Sequence, residues 1–69
     1  MEDHVYKKIE IVGSSEISSD AAVQNALSRA GSSIKHLRWF EVVETRGSVD
    51  AGKIIRWQVT IKIGFTMNN

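Results

Sequence analysis

The stretch "RWQVTIKIGF", residues 56–65, alternates without a break. Trp57, Val59, Ile61, Ile63 and Phe65 fall on one side of an extended chain, and Arg56, Gln58, Thr60, Lys62 and Gly64 on the other. Successive side chains of a strand point to opposite faces, so this phase describes a strand with one apolar and one polar face. The strand reads from Lys53 to Phe65. Upstream, "LRWFEVVETRG" reads as a second strand over Leu37–Arg46, and "GSVDAG" between the two as a turn with glycine at both ends. Two such runs joined by a short turn predict an antiparallel hairpin. Phe40 and Val42 match the apolar face. Trp39, Glu41, Val43 and Thr45 then fall on the polar face. Two large aromatics are neighbours here, and only one of them can enter the core.

Working outward, "VYKKIEIV" (Val5–Val12) has the short alternation of a first strand, with Val5, Lys7, Ile9 and Ile11 on one face. "GSSEISS" breaks that pattern. From Ser18 to Ala30 the period becomes helical, with Val23, Leu27, Ala30 and Ile34 in step and Ala22 and Ala26 beside them. Ser18 or Ser19 can cap the helix, Asp20 suits its positive first turn, Arg29 its last, and Gly31 fits a left-handed stop. The alanine-rich face allows close approach to a sheet. The expectation is one α+β domain over residues 1–69. Its order is β-α-β-β, a three-stranded antiparallel sheet wrapped around one helix, with the helix over Phe40, Val42 and Val59.

A turn centred on Val49 and Asp50 would pair Glu41 with Gln58 and Trp39 with Thr60. Trp39 and Gln58 would then be diagonal neighbours about 7 Å apart. An indole offers a stacking surface, and a primary amide offers donors and an acceptor in one plane. Together they suit a flat, conjugated ligand with a polar edge. An oligomer contact explains Trp39 as well, because tryptophan is enriched at interfaces, and an isolated outward glutamine can simply be solvated.

Other chemistry has little support. The chain has 9 basic and 8 acidic side chains and a net charge of +1, without the clustered positive charge that nucleic acid demands. No apolar run approaches the roughly 18 residues of a membrane span, and the beginning "MEDHVYKK" has no signal-peptide character. A cytoplasmic protein is the default expectation. There is no cysteine, and His4 and His36 are isolated, so neither disulfides nor a zinc site is expected. No P-loop, G-x-G-x-x-G or G-x-S-x-G motif occurs. Glu41 and Glu44 read as lying on opposite faces, which rules out a carboxylate pair, and Trp57 reads as core. The expectation is a binding protein and not an enzyme. A domain of 69 residues buries only about 60% of its unfolded surface, so self-association is the remaining route to stability.

"HVYKKIEIVGSS", "NALSRA", "LRWFEVVETRG" and "GKIIRWQVTIKIGF" resemble the dodecins, small flavin-binding proteins. The resemblance covers roughly Val5 to Phe65. It implies a hollow homododecamer that stores and quenches flavin, with the isoalloxazine sandwiched between symmetry-related tryptophans. The matching residue is Trp39, and Gln58 matches the glutamine that meets the ring's polar edge. Arg46 matches a family arginine associated with flavin or subunit contacts. Its parity is opposite to that of Trp39, so it would act from a neighbouring subunit or past a bulge. The implied cofactor is FMN or riboflavin, with FAD sharing the same ring, and coenzyme A is an open second ligand. Thr66 stands where many bacterial members carry an arginine that approaches the flavin phosphate. FMN and riboflavin are therefore expected to bind within about tenfold of each other, with Arg46, Lys7 and Lys8 left as phosphate partners. The rival expectation is a protein–protein interaction module that uses the polar sheet face.

Overall fold

The computed structural model describes residues 3–67. Strand β1 (Tyr6–Ser15), helix α1 (Ser19–Gly31), strand β2 (Leu37–Asp50) and strand β3 (Lys53–Thr66) follow in that order. They build a three-stranded antiparallel sheet in the order β1-β3-β2, with the helix on one face. The strand with the unbroken apolar phase, β3, is the central one. Val59, Ile61 and Ile63 are its fully buried residues.

The helix meets them through Ala22, Ala26 and Ala30, spaced four apart on one stripe and all buried. Ser18 caps the start, its hydroxyl accepting from the Ala21 N–H at 3.0 Å. The approach to β1 depends on Gly13. A Cβ there would lie 2.8 Å from the Ala26 Cβ and would also collide with the Ala22 carbonyl oxygen. The far end differs from expectation. Gly31 is the last helical residue with no positive φ, Ser32 caps the helix, and His36 takes the left-handed conformation at φ 67°. Histidine tolerates that region better than most side chains.

The helix lies over β1 and β3, not over β2. Phe40 and Val42 are in the expected phase, opposite Ile63 and Ile61, yet remain 45% and 51% exposed. The expectation that the helix covers them is corrected accordingly. Trp57 packs against the core, as expected.

Strand β2 also runs further than its sequence suggests. Gly47 and Ser48 are paired opposite Trp57 and Arg56, and the turn is only Ala51-Gly52, at φ 51° and 78°. Positive φ at both central residues is the two-residue hairpin turn whose twist matches that of the strands.

The pairing of β2 with β3 slips three times, between Leu37 and Trp39, between Val42 and Glu44, and between Ser48 and Val49. At each slip one strand contributes an extra residue, and the parity of that strand relative to its partner changes by one. These slips decide which side chains share the outer face.

Candidate functional site

The outer face of the sheet, away from the helix, is built in rows. Trp39 lies opposite Gly64, which in turn lies opposite Lys8. The slip at Arg38 puts Arg38 and Trp39 side by side against Gly64. Leu37 is thereby returned to the core beside Phe65.

The indole of Trp39 lies over Gly64. A Cβ on Gly64 would sit 2.6 Å from the ring's Cη2 and would collide with Cε2 and Cζ2. Tyr6 meets the indole edge-on, with ring centroids 5.1 Å apart and planes at 68°. Edge-to-face contact is a preferred aromatic geometry. The sheet and the tyrosine thus support Trp39 from below and from one side, and the residue remains 37% exposed.

Next along the sheet, Glu10, Lys62 and Glu41 form a row, and Lys8 donates to Glu41 at 2.8 Å. That hydrogen bond and the charge of Lys8 hold the Glu41 carboxyl below the usual carboxylate range. Both partners are about half exposed, so the pair orders the face more than it stabilises the fold.

The slip at Val43 has the largest consequence. Beyond it, Glu44 faces Thr60 and Arg46 faces Gln58. Arg46 therefore shares the outer face with Trp39, and its Nε donates to Gln58 Oε1 at 3.0 Å. No neighbouring subunit is needed to bring the arginine and the amide together. The same slip puts Glu44 on the face of Glu41, which corrects the expectation that they lie on opposite sides.

The register also corrects the spacing of the candidate pair. Trp39 faces Gly64, not Thr60, and Gln58 lies six residues further along β3, on the order of 20 Å at strand rise. Trp39 and the Arg46–Gln58 pair occupy one face of one chain and cannot touch the same ring within it.

Three supporting residues were missed in the sequence. Tyr6 and Gly64 carry weak signals: both fall on the polar phase, and a glycine inside a strand often marks a close approach. Arg38 carries none, because simple alternation puts it on the helix side. Its Nε donates to Thr66 Oγ1 at 3.0 Å.

A single alanine-rich helix on a three-stranded sheet, with apolar surface left open on β2 and an aromatic platform on the outer face, defines a small self-associating α+β module. The model of the family described as Dodecin matches residues 5–68. The dodecin of Thermus thermophilus is 46% identical over 63 residues, 91% of each chain. The structure of dodecin from Streptomyces coelicolor superposes with a TM-score of 0.94 at 40% identity, covering 100% of this chain and 99% of that one. The calcium dodecin of Mycobacterium tuberculosis is 33% identical over 63 residues, 91% of this chain and 89% of its own. The chain belongs to the dodecin family, and membership implies oligomeric self-assembly.

Proposed function

We propose that this chain binds flavin, as FMN or riboflavin, by stacking the isoalloxazine on Trp39, and that it stores and quenches flavin in a homododecamer. The observation that carries this reading is the indole seated on Gly64 and braced by Tyr6. A large aromatic braced on the polar side of a sheet, with area left to cover, is a stacking surface prepared before any ligand arrives. Gln58 is the partner for the polar edge of the ring. Arg46 occupies one lone pair of its amide oxygen and fixes which way round the amide is held.

Trp39 and Gln58 lie far apart within one chain, so a complete site takes them from different protomers. An isologous contact across a twofold axis provides that, and it also turns one tryptophan per chain into a two-sided clamp. When bound, the isoalloxazine supplies the light absorption and redox chemistry. The chain's own residues supply stacking and hydrogen bonds, and the role is binding and not turnover. FAD carries the same ring and meets the same contacts. One relative is named calcium dodecin. Among the described residues of this chain, no three His, Cys, Asp or Glu side chains are grouped to hold a metal ion.

Titration of riboflavin into the purified protein, followed by flavin fluorescence and native mass, tests this. Fluorescence should be quenched on binding. Trp39→Ala should weaken affinity by about tenfold or more, since both buried area and stacking are lost, while the assembly stays intact. Undiminished quenching by Trp39→Ala would remove the stacking model. An absence of flavin binding in the wild type would leave the protein-interaction module as the better reading.

A further inference from the structure

Arg38 is the residue next to the platform that the reading above does not use. Strand alternation alone would send it to the helix side. The slip between Leu37 and Trp39 brings it instead to the outer face, against Gly64 and beside the indole. There its Nε–H is held by Thr66 Oγ1 at 3.0 Å. Among the described residues, the side-chain ion pairs are Lys8–Glu41 and Arg56–Glu16, and Arg38 belongs to neither. Its two terminal nitrogens, with four N–H groups, are not engaged by that bond.

Building on the flavin reading, we propose that Arg38 is the phosphate-selecting residue of this site. It takes the phosphomonoester at the end of the tail of a ring stacked on Trp39, and so makes the protein prefer FMN to riboflavin. Three physical points carry this. A guanidinium matches a phosphate with a planar fork of parallel N–H donors. The Thr66 hydroxyl fixes Nε, so less freedom is lost when the terminal nitrogens engage a ligand. The adjacency of Arg38 and Trp39 in sequence, on one face through the bulge, puts the cation within a tail's length of the stacked ring. Thr66, read from sequence as a position stripped of charge, becomes the seat for an arginine arriving from the neighbouring strand.

The test is parallel titration of the assembled protein with FMN and riboflavin at low and high salt, for wild type, Arg38→Gln and Arg38→Lys. Wild type should prefer FMN by more than about tenfold at low salt, with the preference shrinking as salt screens the contact. Arg38→Gln should bring the two affinities to within about twofold by weakening FMN alone, and Arg38→Lys should keep only part of the preference. Inorganic phosphate should compete with FMN and not with riboflavin. Riboflavin binding with no FMN preference in wild type, or an FMN preference that survives Arg38→Gln, overturns the role of Arg38 and leaves the flavin reading standing. Equal losses for both flavins in Arg38→Gln would show that Arg38 only shapes the platform, and overturns the proposal too. Failure of wild type to bind riboflavin at all overturns the flavin reading itself.

Discussion

At the scale of single residues, Gly64 has an unusual position. A glycine inside a strand costs about 0.5–1 kcal/mol relative to alanine. Gly64 gains nothing conformational in return, because its φ is not positive; Gly52 is the glycine of the described residues that is. The compensation is contact: the space of the missing Cβ is filled by the Trp39 ring. A side chain at position 64 would push against the far end of a movable indole and not against backbone, so it should displace the ring without unfolding the sheet. Gly64→Val is expected to leave assembly intact and to weaken riboflavin by about tenfold, with Gly64→Ala intermediate. In a Trp57→Phe background Trp39 is the sole tryptophan, and its emission in the flavin-free protein reports the displacement directly. Unaltered emission and accessibility in Gly64→Val would mean that Gly64 is not the floor of the platform. The face of Trp39 was readable from alternation, because one apolar phase in β3 excludes the other. The support beneath it was not, because a glycine in the polar phase looks like any tolerated small residue until its cross-strand partner is known.

At the scale of elements, the chain shows how far strand periodicity carries and where it ends. The order β-α-β-β was legible, since each segment has one dominant period and one breaker at its end. The register was not. It is fixed by a two-residue turn, and the sequence "GSVDAG" offers glycine at two places where the turn could sit. Placing the turn at Val49-Asp50 instead of Ala51-Gly52 displaces every cross-strand pair and makes Trp39 and Gln58 neighbours, where the structure holds them six residues apart along β3. The bulges compound it: one extra residue at Val43 moves Arg46 from the helix phase to the outer face, and no propensity announces a bulge at a valine inside a strand. The turn itself makes a prediction. Ala51 holds φ 51° with a Cβ, where asparagine followed by glycine is the preferred pair for this geometry. Ala51→Asn should stabilise the protein by about 0.5–1 kcal/mol, visible as a higher thermal midpoint at fixed protein concentration. A lowered midpoint would mean that the Ala51 side chain is packed in the assembly and is not merely tolerated in the turn.

For the molecule as a whole, one chain is an incomplete object. A compact 69-residue domain has a radius of gyration of about 11 Å; this chain has 14.4 Å and extends 56 Å along its longest axis. Its surface is 5207 Å², against about 4300 Å² for a compact monomer of 7.7 kDa. The excess belongs to the β2–β3 hairpin, which outruns the helix and leaves apolar side chains uncovered: Phe40, Val42, Val43, Val49, Ile54 and Ile55 are each 45–66% exposed. An uncovered apolar strip of this extent marks an interface, and family membership says that the partner is another copy. Phe40 is the sharpest probe, because it sits in the core phase opposite Ile63 but has no helix above it. Burying the rest of that ring is worth roughly 1 kcal/mol per protomer, whereas a carboxylate in its place would have to be desolvated without a partner, at several kcal/mol. Phe40→Glu should therefore yield species smaller than the wild-type assembly on native mass, with a lower thermal midpoint. The wild-type midpoint should rise with protein concentration, as mass action requires when folding and association are linked. If flavin binds as proposed, its binding should fall together with assembly in this variant, although Phe40 lies on the opposite face from Trp39, because the proposed site takes Trp39 and Gln58 from different protomers. A Phe40→Glu protein of wild-type size and midpoint would place the subunit contacts elsewhere on the chain. A dissociated variant that still quenched riboflavin would show that one protomer suffices to hold the ring.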